Sequence, residues 1–146
     1  GAGNDLLKVA DGSFFKLDGG TGVDTVELTA GASIDFTSLA NTRVANIEIL
    51  KLGSGDQDIA MNHLDLLNMT GDANTAVGNA AFQKGHALVI ASDGGNDAIT
   101  LSGGWNVAAV ASNVSVAGAS GSFSVYQHGS DNIYAVIDDA VTRHIS

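Results

Sequence analysis

The sequence predicts an all-β fold, a β-roll or parallel β-solenoid with short helices interspersed. Three observations carry this expectation. Short apolar segments alternate along the chain with turns rich in Gly, Asp and Asn; there are 19 glycines and no proline. Many of these segments place apolar and polar residues on opposite sides, as in Val26-Glu27-Leu28 and Ile47-Glu48-Ile49, which is the period of a half-buried strand. One turn-then-strand unit also recurs. Asp24-Thr25-Val26-Glu27-Leu28 is echoed by Asp97-Ala98-Ile99-Thr100-Leu101, and more loosely by Gly53-Ser54-Gly55-Asp56-Gln57-Asp58-Ile59. A unit that cannot bury its apolar face alone stacks on its neighbour, which is the logic of a solenoid.

In chain order, strands are expected at Leu6–Val9, Thr25–Leu28, Ile47–Leu52, Ala87–Ala91, Ala98–Leu101, Val114–Ala117, Phe123–Gln127 and Ile133–Ile137. Each is a short apolar run bounded by turn-forming residues. Two short helices are expected between them. Thr37–Arg43 follows Asp35 as a cap region, and Asn62–Met69 gathers Leu64, Leu66, Leu67 and Met69 behind Asn62 as N-cap. The 146 residues suffice for one domain with a real core. Within it, residues 1–28 carry the clearest repeats and residues 29–146 form a strand-rich continuation.

Composition narrows the function classes. The net charge is −10, from 14 Asp and only 2 Glu among the acids. An acidic helix would favour Glu, whereas Asp suits turns and compact oxygen cages for hard cations. The six basic residues are scattered, which argues against nucleic-acid binding. There is no cysteine, so disulfides and thiolate metal sites are excluded. No apolar run reaches the roughly 20 residues of a membrane-spanning helix, and no membrane insertion is expected. The chain opens on Gly1-Ala2-Gly3-Asn4-Asp5, which reads as the middle of a motif, so it is expected to be a fragment.

The motif with chemistry in it is Asp18-Gly19-Gly20-Thr21-Gly22-Val23-Asp24-Thr25-Val26-Glu27. It contains the nonapeptide Gly-Gly-x-Gly-x-Asp-x-apolar-x, a known calcium-binding repeat. The glycines reach backbone angles that turn carbonyl oxygens toward one point. The Asp adds carboxylate oxygen, and the apolar residue anchors the following strand. Hard oxygen ligands in a flexible ring select calcium over zinc or copper. Gly1-Ala2-Gly3-Asn4-Asp5-Leu6-Leu7-Lys8 matches the same pattern from its second glycine onward. Asp5 and Asp24 are 19 residues apart, one coil of two nonapeptide half-turns plus one residue. The two motifs are therefore expected to stack on one edge of adjacent coils and hold an ion between them. The expected calcium ligands are Gly1, Gly3, Asp5, Asp18, Gly20, Gly22 and Asp24. Phe14 stands where the intervening half-turn would carry Asp, so no ordinary site is expected on that opposite edge.

These residues resemble the RTX (repeats-in-toxin) family of proteins exported by type I secretion, in strict motif form over Gly1 to Glu27. Further stretches are similar to the C-terminal regions of large RTX adhesins: Ile34-Asp35-Phe36-Thr37-Ser38-Leu39-Ala40-Asn41, Asn46-Ile47-Glu48, His63-Leu64-Asp65-Leu66-Leu67-Asn68-Met69 and Ala98-Ile99-Thr100-Leu101-Ser102-Gly103-Gly104-Trp105. The resemblance implies export from a bacterium without a cleaved leader. It also implies folding outside the cell or at its surface, where calcium is abundant.

Other residues have plainer readings. Asp93-Gly94-Gly95-Asn96-Asp97 is a shortened motif; a plain hairpin turn is the first expectation, and metal ligation by Asp93 and Asp97 the second. Asp56 and Asp58 read as a solvated turn. His63, His86, His128 and His144 lack zinc spacing and are expected at surface or helix-flank positions. Ser102 and Ser120 lack a nucleophile elbow, and Asp138-Asp139 would point to opposite faces of a strand. No enzymatic activity is expected. Trp105, Tyr126 and Tyr134 are expected in packing, with a sugar platform as the other use. The leading expectation is a calcium-stabilised structural module of a secreted adhesin-like protein. The alternatives are a carbohydrate- or peptide-binding adhesive module with a cell-surface or extracellular ligand, and a non-catalytic appendage of a secreted hydrolase.

Overall fold

Strands buried on one face should alternate in polarity, and strands buried on both should not; the chain contains both kinds. The computed structural model describes residues 1–29 and 31–146, and they are mostly β. The strands are β1 (Leu6–Val9), β2 (Leu17–Asp18), β3 (Thr25–Leu28), β4 (Ser33–Asp35), β5 (Val44–Ala45), β6 (Ile49–Leu52), β7 (Asp58–Asn62), β8 (His86–Ser92), β9 (Ala98–Ser102), β10 (Trp105–Val107), β11 (Asn113–Val114), β12 (Phe123–His128), β13 (Ile133–Asp138) and β14 (Thr142–Ile145). Helices α1 (His63–Met69) and α2 (Ala80–Gln83) are short.

The larger sheet runs β1-β3-β6-β8-β13-β12-β10, with β11 also paired to β12. Its first five strands are parallel. The smaller sheet, β4-β7-β9-β14, is parallel throughout. The chain steps from the larger sheet to the smaller at β3–β4, β6–β7, β8–β9 and β13–β14. β2 and β5 form a short parallel pair. A uniformly parallel arrangement is not what these sheets have. β12 is antiparallel to β13, β10 and β11. The cause is local: only Gly129–Asn132 connect β12 to β13, too short for a parallel crossover.

Register places like on like. Leu7, Val26, Leu50, Ile90 and Ile137 form one row across the five parallel strands. Ile34, Ile59 and Ile99 form another across the smaller sheet. These rows belong to one core, which also takes Leu66 and Met69 from α1. β3 and β6 bury this face and turn Thr25, Glu27, Ile49 and Lys51 outward, hence their alternation. A second core lies on the other face of β8, β12 and β13. It joins Ala87, Val89, Val125, Tyr134 and Val136 to Phe82 of α2 and to Val77 and Val116. β8 and β13 are thus covered on both faces, which accounts for the unbroken runs Ala87-Leu88-Val89-Ile90 and Tyr134-Ala135-Val136-Ile137.

The helix expected at Thr37–Arg43 is only a 3-10 turn over Phe36–Ser38, capped by Asp35. Arg43 is drawn away instead: its guanidinium lies over the Phe14 ring and donates to the Gly12 carbonyl. The strand expected at Val114–Ala117 stops at Val114, because Val116 turns into the second core and pairs with Val77. Asn62 caps α1 as expected, and Asp65 completes a capping box.

Truncating the central row tests this packing. Leu50→Ala should cost about 2–5 kcal/mol, while Lys51→Ala, on the outward face, should cost about 1 kcal/mol or less. Urea unfolding midpoints compare the two; equal losses would contradict the assigned faces.

Candidate metal centre at the first glycine turns

The turn Gly1–Asp5 lies directly against the turn Gly19–Asp24. Parallel pairing of β1 with β3 sets Leu6 opposite Thr25, and the turns before them inherit that register. Gly3 donates its amide to the Thr21 carbonyl at 2.8 Å, Thr21 donates to the Gly1 carbonyl at 3.2 Å, and Val23 donates to Asn4 Oδ1 at 2.9 Å. Gly20 and Gly22 sit at φ +100° and +135°, where side chains are strongly disfavoured. A Cβ at either would overlap the carbonyl oxygen of Gly1 or Gly3. Glycine is required here because two backbones meet.

Asp24 is the centre of the arrangement and is 0% exposed. Its Oδ1 accepts the Asp5 amide at 2.8 Å. Its Oδ2 is buried and has no partner among the described residues. Leaving a buried acceptor unpaired costs about 1–3 kcal/mol, more if it is charged. The Asp24 amide donates to Glu48 Oε2 at 2.8 Å, so Glu48 occupies the equivalent place one unit further on. Burial, with the Asp24 charge adding to it, pushes the Glu48 carboxyl above its usual range.

The other expected ligands divide. Asp5 is beside Asp24, with its own side chain part-exposed. Asp18 is engaged elsewhere: it accepts from Asn46 Nδ2 at 2.7 Å and pairs with Lys16 at 3.1 Å, and those bonds lower its pKa. Asp93 is exposed and pairs with Lys51 at 3.1 Å. Asp97 is buried. The hairpin reading of Asp93–Asp97 is corrected, because β8 and β9 belong to different sheets and the segment is a corner between them.

That corner repeats the first turn pair on the other edge. Gln57 donates its amide to Asp97 Oδ1 at 2.9 Å, and Asn96 donates to Asp56 Oδ1 at 2.9 Å. These match the Asp5–Asp24 and Val23–Asn4 bonds position for position. A Cβ on Gly95 would overlap the Gly55 carbonyl oxygen, as one on Gly22 would overlap that of Gly3. Here Asp97 Oδ2 is satisfied by Ser92 Oγ at 2.6 Å, and the orphan is Gln57 Oε1. Asp56 is therefore tied to the next turn and is not simply solvated. Sequence reading missed this role; the signal was the parallel between Gly53-Ser54-Gly55-Asp56-Gln57 and Asp93-Gly94-Gly95-Asn96-Asp97.

Chemically, the first turn pair carries an unpaired buried carboxylate oxygen and several backbone carbonyls, all hard oxygen donors of the kind calcium takes. Among the described residues, no three His, Asp or Glu side chains converge as a side-chain metal cluster. An ion held here would draw on the glycine carbonyls as well as on Asp24.

Gly20→Ala should destabilise the protein by about 2–4 kcal/mol, from the left-handed backbone and the overlap with Gly1 together. Gly12→Ala, whose Cβ would meet only ordinary contacts, should change stability by no more than about 0.5 kcal/mol. Thermal melts of both variants read the difference; a silent Gly20→Ala would show that the two turns do not touch.

No protein-family model, no curated protein and no solved structure matches this chain.

Proposed function

We propose that this chain is a calcium-stabilised structural module of a secreted, RTX-like bacterial adhesin, folding outside the cell after export. The observation that carries the reading is the unpaired Oδ2 of Asp24, fully buried in a glycine turn that lies on a second glycine turn. A cation at that oxygen supplies the missing charge partner. Asp24 and the carbonyls around Gly1, Gly3, Gly20 and Gly22 would hold it, with Asp5 at the more exposed side.

The parallel strands β1-β3-β6-β8-β13 and β4-β7-β9-β14 support reading the chain as a β-roll, with the antiparallel strands β12 and β10 added at one side. In this reading calcium serves folding, and no catalytic step is assigned to the chain. A sugar-binding surface gains less support. Trp105 and Tyr134 are buried in the two cores, and Tyr126 packs partly against the first.

Compartment gives the ion its timing. Extracellular calcium modules bind with dissociation constants of about 10⁻⁴–10⁻³ M, so such sites are empty in a cytosol and filled outside. Binding to the folded state alone stabilises it by mass action, by about 2.7 kcal/mol at a hundredfold excess over the dissociation constant. Before export, the Asp24 carboxylate opposes closure of the first units.

Melting in millimolar calcium and in chelator tests this. Calcium should raise the melting temperature of the wild type, and Asp24→Asn should remove most of that rise while leaving an acceptor for the Asp5 amide. Asp18→Asn should retain it. Identical melting of the wild type with calcium and with chelator would contradict the proposal.

A further inference from the structure

Two histidines far apart in sequence meet at one junction of the fold. His63 opens α1 and His128 ends β12; their rings stack with centroids 4.0 Å apart and planes 9° from parallel. His128 Nδ1 lies 2.9 Å from Asp131 Oδ2, in the turn between β12 and β13. Its Nε2 lies 2.8 Å from the Gly103 carbonyl oxygen, in the turn between β9 and β10. A carboxylate and a carbonyl have no proton to give. Both bonds form together only when both ring nitrogens carry hydrogen, which is the geometry an imidazolium would satisfy.

His63 is in the opposite situation. Its Nδ1 is buried without a partner among the described residues. Gly103 closes over it, so near that an added Cβ would lie 2.8 Å from that nitrogen. A proton on it would be a buried donor with no acceptor. It would also set a second cation face to face with the first. Finally, it would put positive charge on the first residue of a helix, against the aligned amides.

We propose that the His63–His128 stack is a one-proton latch. It joins α1, the β9–β10 turn and the β12–β13 turn while the pair carries a single charge, and it opens when His63 takes up a second proton in mild acid. The groups around it are accounted for. Asp131, largely exposed, holds the His128 charge. Trp105 presents its ring to His128 at 5.7 Å and carries no charge. The Ser146 carbonyl oxygen, beyond β14, accepts the Gly104 amide at 2.9 Å. Asp65, two residues along α1, is the nearest carboxylate on that helix. Its carboxylate is already engaged by the Asn62 amide at 2.8 Å. Burial, reinforced by the charge of Asp35, raises the Asp65 pKa. The closed latch therefore holds while the pair carries one proton and is lost when acid delivers the second to His63.

Trp105 is the chain's one tryptophan, so its fluorescence reads this junction directly. In saturating calcium, wild-type emission should shift to the red as pH is lowered from about 7.5 to about 5. His63→Phe keeps a flat ring with no nitrogen to protonate, and its emission should stay constant over the same range. A wild type with no shift, or a His63→Phe variant with the wild-type shift, would overturn the latch. Nitrogen NMR of the histidine rings in the unmutated protein gives a second reading should the variant not fold. At about pH 7.5, one ring of the pair should carry both protons and the other should be neutral; two neutral rings would equally overturn it.

Discussion

A backbone amide of one strand–turn unit, received by a buried carboxylate of the next, is the interaction on which the rest of this fold depends. Among the described residues it occurs four times. Asp24 accepts from Asp5, Glu48 from Asp24, Asp97 from Gln57 and Asp138 from Ser92, across sequence separations of 19, 24, 40 and 46 residues. Amides at the ends of parallel strands run out of ladder partners, and burying them unpaired would be costly. A charged acceptor forms a stronger bond than a neutral one. The carboxylates are buried for the same reason that the amides need them. The 40-residue separation of Gln57 and Asp97 shows what the device permits: α1 and α2 lie within it, and β7 and β9 still pair in register.

The same device creates a charge problem. A carboxylate that is fully buried and half satisfied is expensive to keep ionised. The chain meets this differently at each position. Asp97 spends its second oxygen on Ser92, and Asp138 spends its second on the Ala140 amide. Glu48 has its pKa raised by burial. Asp24 has none of these side-chain or turn partners for Oδ2 among the described residues, and it ends the glycine turn that lies on Gly1–Asp5. The structural need for an amide acceptor and the proposed affinity for a cation thus arise from one residue.

Much of this was legible in the residues. β1 and β3 fall where the alternation puts them, and the 19-residue spacing of Asp5 and Asp24 anticipates their contact. The cap at Asn62 follows from its short polar side chain before an apolar cluster. What was hidden depended on distant partners. β7 hides in Asp58-Ile59-Ala60-Met61-Asn62, because flanking polar residues suggest a turn while Ile59 and Met61 are held by rows in the neighbouring strands. β2, β5 and β14 are short and owe their form to pairing. Glu48 carries no glycine signature, so its kinship with Asp24 appears only in the hydrogen bonds. His63 and His128 have no spacing that links them, and only the folding-back of β12 brings them together.

Hydrogen exchange at the amides of Asp5, Asp24, Gln57 and Ser92 tests the central claim most directly. If buried carboxylates receive them, these amides should exchange as slowly as those of the neighbouring strands, and Asp24→Ala should release Asp5 while leaving Gln57 protected. Fast exchange at Asp5, Asp24 and Gln57 in the wild type, at the rate of open turns, would contradict the account.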